Sequence, residues 1–379
     1  MQKVTVIHIV PDLRQQAGGL AATVPGLAEA LSALDVDSRF VTYAHDDDFA
    51  WAEQTTCVPH FNLLKPGELG RVLEDVLASL PAGAPVLLHS HGLWDMLNHA
   101  GIRVSTQLQL PTVLSLHGML LPWARRHKKL RKDIAWGLYQ RRDLVQASAV
   151  HVTSSAEANT AAEIVPINRV HTIPFGVSFP RSLVPTFPDT TTRTLLFLGR
   201  LHPIKNLEAL IRAFVRAAPA QYRLQLVGPD EDNHKATLLA LIQKLEVGNR
   251  IVITGPAYGV AKEAAIAQAD VVILPSFTEN FGAVVAEALA MGRPVISSTG
   301  APWDVLRTER CGWWVDPSAD SLAQAIDAFC ATSRDELEAM GERGRAYVSR
   351  SLTHESAAAR MVDLYSSVFS RPNSSGSLS

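Results

Sequence analysis

Short apolar runs alternate with amphipathic stretches along almost the whole chain. Residues 3–10, with the largely apolar run VTVIHIV, read as a buried parallel strand. A turn at Gly18-Gly19 follows, and then a helical pattern over 20–34. Further strands are expected at 38–43, 85–90, 111–116 and 148–153, with VHTIPFGV (170–177) closing the series. Helical periodicity lies between them at 68–80, 94–108, 122–146 and 155–164. Strands that alternate with helices in this way build βαβ units and a parallel sheet.

The pattern breaks at 178–193, SFPRSLVPTFPDTTTR, where Pro180, Pro185, Pro188 and a threonine run mark an exposed connection. It then restarts. Strands are expected at 194–198, 222–227, 250–254, 270–274 and 294–298, and helices at 204–217, 234–246, 260–268, 281–291, 302–309, 318–331 and 334–350. A last helix, about 353–369, carries Met361, Leu364, Tyr365 and Val368 at helical spacing, and the polar tail RPNSSGSLS reads as disordered. The expected organisation is an α/β chain of two Rossmann-like halves, 1–177 and 194–352, joined by the linker 178–193 and followed by a helix at 353–370 and a tail at 371–379. Ligands of such sheets bind beyond the carboxyl ends of the strands, and two halves allow those ends to face one another across a cleft.

Composition agrees with this and removes other classes. A chain of 379 residues suits about two domains. The 47% hydrophobic content supplies core, and a net charge of −2 gives no electrostatic reason to expect nucleic acid as a partner. Cys57, Cys311 and Cys330 are odd in number and widely spaced, which is neither a disulfide framework nor a zinc pattern. The first apolar run is interrupted by Thr5 and His8 and no cleavage site follows, so a signal peptide is not expected. No run approaches the roughly 20 apolar residues of a membrane span. A reducing cytoplasm is the expected compartment, with any membrane contact peripheral.

Chemistry concentrates in two stretches of the second half. LPSFTENFGAVVAEALAMGR (274–293) reads as a strand end, a polar turn holding Glu279, and a helix that starts near Gly282 and carries Glu287. A helix start can hold a negative centre with its free amides, and carboxylates accept from hydroxyls on either side. A sugar–diphosphate–nucleoside has that layout. In LLFLGRLHPIKN (195–206) a strand ends at Gly199-Arg200 and Pro203 opens a helical turn, so Arg200 and Lys205 flank a strand-to-helix turn and suit phosphate oxygens. As an isolated pair they would read as two solvated cations; the neighbouring stretch favours phosphate. No Asp-x-Asp element is placed to hold a metal, no cofactor is implied, and Asp46-Asp47-Asp48 reads as a solvated loop.

The first half offers candidates for a second substrate. HSHGLWD (89–95) follows a strand, so His89, His91, Trp94 and Asp95 are expected to face the cleft, with Trp94 stacking on an acceptor sugar and His91 beside it. The alternative is that these histidines satisfy loop backbone. His8 reads as a core histidine. Asp12 and Arg14, near the glycine loop, are further acceptor candidates. MLLPWARRHKKLRKD (119–133) joins Leu120, Leu121 and Trp123 to six cations, a composition that suits an anionic membrane surface or a diphosphate-linked lipid acceptor, with a solvated helix face as the plain alternative.

Taken in order, the Gly18-Gly19 loop, LSLHG (114–118), GRLHPIKN (199–206), ADVVILPS (269–276), ENFGAVVAE (279–287), ALAMGRPVISS and CGWWVDP resemble the retaining GT-B glycosyltransferases of family 4, the glycosyl transferases group 1. The resemblance covers residues 3–350. It implies two Rossmann-like domains facing a central cleft, with the last helix crossing back to the N-terminal domain. It implies a hexose-type sugar moved with retention from a UDP or GDP donor, a substrate rather than a cofactor, to a glycan or lipid-linked acceptor. It gives Arg200 and Lys205 the diphosphate, Glu287 the ribose, and Glu279 with Asn280, Phe281 and Gly282 the sugar and phosphate. It sets His117 against the donor sugar, brings Gly18, Gly19 and Gly199 close to the donor, and frames the base with Gly228, Gly255 and Pro256. Members with HGLW and CGWWVDP elements point to exopolysaccharide or lipopolysaccharide assembly at the inner face of the cytoplasmic membrane. One departure is Phe175 in IPFGV, where the family often has Asn or Asp. The alternatives are a GT-B nucleotide-sugar epimerase, which would need no acceptor surface, and a non-catalytic nucleotide-sugar binder, which would need no His117.

Overall fold

The computed structural model describes residues 3–14, 19–43, 54–58, 68–80, 83–179, 187 and 192–370. Gly18, Asp46-Asp47-Asp48, most of the 178–193 connection and the 371–379 tail lie outside them. The chain forms two compact units, Met1–Gly176 with His354–Ser379, and Val177–Thr353.

The first unit is built on β1 (Val4–Ile9), β2 (Val36–Tyr43), β3 (Thr55–Val58), β4 (Val86–His91), β5 (Thr112–Ser115), β6 (Ala149–Val152) and β7 (Val170–Thr172). They make one sheet in the order β3-β2-β1-β4-β5-β6-β7, and all the pairings are parallel. The order reverses between β1 and β4, so crossover helices cover both faces and the strand ends diverge there into a crevice. The second unit repeats the plan with β8 (Thr194–Leu198), β9 (Arg223–Val227), β10 (Ile251–Thr254), β11 (Val271–Leu274), β12 (Val295–Ser298) and β13 (Gly312–Val315), ordered β10-β9-β8-β11-β12-β13. Its switch point lies between β8 and β11. The central strands are fully buried, which explains their unbroken apolar runs.

Four details differ from the sequence expectation. Edge strands β3 and β13 are additional; TTCV and GWWV are short, half-buried runs beside loops, without the apolar continuity of the central strands. The strand expected over 170–177 ends at Thr172, shortly before Pro174, which has no N–H for a ladder. The single helix expected over 122–146 is broken. Lys128 is left-handed (φ 52°) between Pro122–Arg126 and Lys129–Ala135, and a π-helical turn, Trp136–Gln140, precedes Arg141–Gln146. Asn206, also left-handed, separates the 3₁₀ turn Pro203–Lys205 from the helix Leu207–Ala217.

The C-terminal helix, His354–Phe369, belongs to the first unit. Its face of Ala357, Ala358, Met361, Leu364, Tyr365 and Val368 is buried in one cluster with Val6, Leu31, Leu87 and Val113. Its start presses on the helix Gly19–Ser32 at Gly26, where a Cβ would stand 2.5 Å from the His354 ring, so a larger residue there would require that ring to move.

Polar bonds tie this helix to the sheet. His151 Nε2–H donates to the Ile173 carbonyl at 2.8 Å. Its Nδ1 is therefore an acceptor and takes the Ser115 hydroxyl proton at 2.6 Å. Ser115 Oγ in turn accepts from His89 Nε2–H at 2.7 Å, and His89 Nδ1 accepts from the Tyr365 hydroxyl at 2.8 Å. One backbone carbonyl thus sets every tautomer along the run. Burial keeps the imidazoles neutral, His151 at about 4, His8 at about 3 and His89 well below its ordinary value.

Tyr365→Phe leaves the His89 Nδ1 acceptor unpaired, and is expected to cost about 1–3 kcal/mol in urea denaturation while the fold is kept. An unchanged midpoint would show that the run carries no stability. The folded pKa values of His8 and His151 lie below the unfolded value of 6.5, so the unfolded chain takes up more protons as acid is added. The associated stability is complete above about pH 6.5 and drains as pH falls toward the folded values, each histidine costing about 1.4 kcal/mol per pH unit. Urea midpoints measured from about pH 7 down to about pH 5 are expected to fall steadily.

Candidate functional site

In the second unit the sequence-selected residues gather at the carboxyl ends of β8 and β11, on either side of the switch point. Gly199 follows β8 and Gly228 follows β9. A Cβ on Gly228 would stand 1.8 Å from the Gly199 carbonyl oxygen, so the two strand ends meet only because Gly228 has no side chain. Beyond Gly199, the ring of His202 accepts from the Ile204 N–H at 3.0 Å and caps the 3₁₀ turn that carries Lys205. Asn206 donates to the Pro275 carbonyl at 3.1 Å and to the Pro317 carbonyl at 2.7 Å, and Phe277 N–H donates to the Ile204 carbonyl at 2.9 Å. The loops after β8 and β11 are thereby fastened together.

Glu279 lies in the loop after β11, and Gly282 (φ 74°) is the N-cap residue of the helix Ala283–Ala290, which carries Glu287. Lys205 Nζ pairs with Glu279 Oε1 at 2.5 Å, both side chains 13% exposed, and Ser276 Oγ donates to the same oxygen at 2.6 Å. Phe281 is buried against Trp303, whose indole N–H donates to the Phe281 carbonyl. Gly255 and Pro256 follow β10 directly, and Asn280 precedes Phe281 in the helix-entry loop.

Two partners here escaped the sequence reading. Glu231 forms an ion pair with Arg200. The parallel register Leu198↔Val227 sets the residues after β8 beside those after β9, so this pairing was legible once the strands were aligned. Lys262, on the helix Gly259–Ala267, holds Glu287 Oε1 at 2.7 Å, and no local pattern announces it.

In the first unit, His117 follows β5 with φ 52°, its ring stacked on Phe175 at 5.3 Å. Phe175, standing where the family often has Asn or Asp, is thus an aromatic plate against His117. His91 Nδ1 lies 3.2 Å from His117 Nε2, and His91 Nε2 lies 3.0 Å from His8 Nδ1. Both ring nitrogens of His91 are engaged and the residue is 2% exposed, which corrects the expectation that it bonds an acceptor directly. His89 is likewise buried in the core, and Asp95 caps the helix Met96–Gln107 and accepts from Tyr43. Trp94 (φ 72°) is held by Gln140 Oε1 on its N–H at 2.7 Å, and Lys132 stands 5.6 Å from its ring. Asp12 and Arg14 bond one another, Gly19 opens the helix Gly19–Ser32, and Trp123 lies in the short helix Pro122–Arg126. Thr23, Val24, His91, His117, Phe175 and Met361 border a small cavity.

His8, His89 and His91 bring ring nitrogens within 4.8 Å of one another. Both nitrogens of His89 and of His91 are already hydrogen-bonded, so a cation there would have to displace one bond from each ring, and the three are placed as a bonded core. In the second unit, by contrast, Arg200, Lys205 and the amides at the start of Ala283–Ala290 provide positive partners for an anion.

Comparison with known proteins identifies the family of the chain. Residues 181–347 match the family model described as glycosyl transferases group 1, and residues 18–176 match a glycosyl transferase 4-like domain. D-inositol 3-phosphate glycosyltransferase of Pseudarthrobacter chlorophenolicus is 26% identical over 88% of this chain and 86% of its own. GDP-mannose-dependent alpha-mannosyltransferase of Mycolicibacterium smegmatis is 30% identical over 66% of this chain and 64% of its own. Sucrose-phosphate synthase from Thermosynechococcus elongatus, 22% identical, superposes with a TM-score of 0.75 over 96% of this chain and 99% of that one, which shows a shared fold. Two matched domains in this order, on two parallel Rossmann-like sheets, make the chain a GT-B glycosyltransferase belonging to the glycosyl transferases group 1.

Proposed function

We propose that this glycosyltransferase moves a hexose-type sugar, with retention, from UDP or GDP to a glycan or lipid-linked acceptor in cell-surface polysaccharide assembly on the cytoplasmic side of the membrane. The observation that carries the donor half of this reading is the gathering of Arg200, Lys205, Glu279, Gly282 and Glu287 at the β8 and β11 ends. Arg200 and Lys205 bind the diphosphate and neutralise the departing nucleotide, helped by the helix-end amides, which is preorganised electrostatic stabilisation. No metal is needed for that step. Glu287 accepts from the ribose hydroxyls and Glu279 from the sugar, each exchanging a lysine contact for a ligand contact. Gly255, Pro256 and Gly228 border the base. His117 of the first unit is assigned to the transferred sugar, which passes through an oxocarbenium-like state. Asp12, Arg14, Trp94 and Trp123 serve the acceptor.

A relative whose name includes GDP-mannose supports a guanine donor, and the test decides between bases. Arg200→Ala and Lys205→Ala are each expected to weaken donor binding by about ten- to a hundredfold, since a hydrogen bond to a charged group is worth about 1.5–3 kcal/mol. Calorimetric titration with UDP- and GDP-sugars measures this; wild-type affinity in both variants would remove the phosphate assignment.

We further propose that the basic segment rests on anionic lipid. Leu130, Ile134 and Leu138 are spaced at i, i+4 and i+8 and are 76%, 55% and 76% exposed. Arg126, Lys128, Lys129, Arg131, Arg141 and Arg142 are exposed around them. An apolar ridge among cations suits a surface of anionic headgroups, and the ridge extends the candidate region beyond 119–133. Among the described residues no helix is long and apolar enough to cross a membrane. Cosedimentation with phosphatidylglycerol vesicles is expected to be strong, and lost in Leu130→Asp with Leu138→Asp. Equal binding to phosphatidylcholine vesicles would sink the proposal.

A further inference from the structure

His117 stands in a backbone conformation that needs support. It is left-handed (φ 52°), and Gly118 after it is left-handed too (φ 78°). A non-glycine residue there is disfavoured and persists only where its surroundings impose it. The support comes from Glu157, on the helix Ser155–Ala162 that follows β6. Glu157 is 0% exposed. One carboxylate oxygen accepts the Gly118 N–H, and the other accepts the Thr153 N–H at 2.9 Å.

Helix capping alone does not account for this. Ser154 is the N-cap, its side chain accepting from the Glu157 N–H. The Ser-x-x-Glu spacing is that of a capping box, in which the glutamate reaches back to the N-cap N–H. Beyond any such cap, Glu157 accepts with one oxygen from Thr153 and with the other from a loop 39 residues away in sequence. It joins the end of β6 to the turn after β5, and that turn carries His117. The ring is fixed separately, by Phe175 on one face and by His91, backed by His8, at Nε2.

We propose that Glu157 is a positioning residue for His117: its buried carboxylate holds the His117–Gly118 turn in the left-handed conformation that sets the imidazole at the end of β5. This rests on the assignment of His117 to the transferred sugar for its effect on catalysis, but not for its effect on geometry. In Glu157→Gln the amide presents a donor where one of the two backbone N–H groups requires an acceptor, so the link between the turn and the end of β6 loses one of its two bonds.

The test has two readouts. In the ¹H–¹⁵N long-range spectrum of the histidine rings, the His117 signals, identified by their loss in His117→Phe, are expected to shift in Glu157→Gln and to stay in place in Glu163→Gln, an exposed control on the same segment. In turnover, kcat is expected to fall by about ten- to a hundredfold with the donor KM within about twofold, as for a misplaced reacting group. His117 signals unmoved in Glu157→Gln would overturn the proposal, and so would a kcat equal to that of the wild type alongside an active-site effect of His117→Asn. Should His117→Asn itself leave turnover unchanged, the assignment of His117 to the sugar fails, while the ring spectrum still decides the clamp. If Glu157→Gln does not fold, Glu157→Asp, which keeps the charge and withdraws it by one methylene, is expected to shift the same signals.

Discussion

A single carbonyl, that of Ile173, organises the polar interior of the first unit. Because it can only accept, His151 must donate to it, and every later hydrogen bond takes its direction from that one. The run crosses the core from the residues after β7 to Tyr365 on the C-terminal helix. It brings a helix from the far end of the chain into the first sheet with a polar bond added to apolar contact. Such a run is stable only while its imidazoles are neutral, and burial keeps them so. In the adjacent series His8, His91, His117 the terminal nitrogens, His8 Nε2 and His117 Nδ1, are enclosed and find no hydrogen-bond partner among the described residues. The direction of its protons is therefore open to whatever meets His117.

The second unit follows a different rule. Its cations and carboxylates meet in pairs at the strand ends: Lys205 with Glu279, Arg200 with Glu231, Lys262 with Glu287. Lys205 and Glu279 are the most enclosed of these, and as a pair they bear a lower desolvation cost than single charges there would. On the proposed reading a nucleotide sugar exchanges these partners one for one, phosphate oxygens for carboxylates and hydroxyls for ammonium groups. Gly228 makes the arrangement possible by letting β8 and β9 end against one another, and Asn206 makes it rigid by fastening the loop after β8 to that after β11.

Much of this was legible in the order of residues. Buried strands announce themselves by their apolar runs, so β8 and β11, and β1 despite Thr5 and His8, could be placed nearly to the residue, whereas β3 and β13, half-buried at sheet edges, could not. Glu279 in a loop and Gly282 at a helix start followed from the angular mismatch between Glu279 and Glu287 on any continuous helix. Lys128 was not legible as a break, because RRHKKLRK holds no glycine or proline to mark one.

Local order thus determined the two α/β halves, the glycine-marked strand ends and the type of chemistry each loop could offer, because periodicity and turn preference are properties of neighbours in sequence. It did not determine which side chains meet. His89 and His91 looked like loop residues open to a ligand, and only the parallel pairing of β4 with β1 and β5 placed their rings among His8, Ser115 and His117, away from solvent. Glu157 stands in a helix's first turn, and only the adjacency of β5 and β6 brings its carboxylate to Gly118. Those contacts join residues far apart along the chain, so no pattern of neighbours encodes them; the stacking order of the strands does.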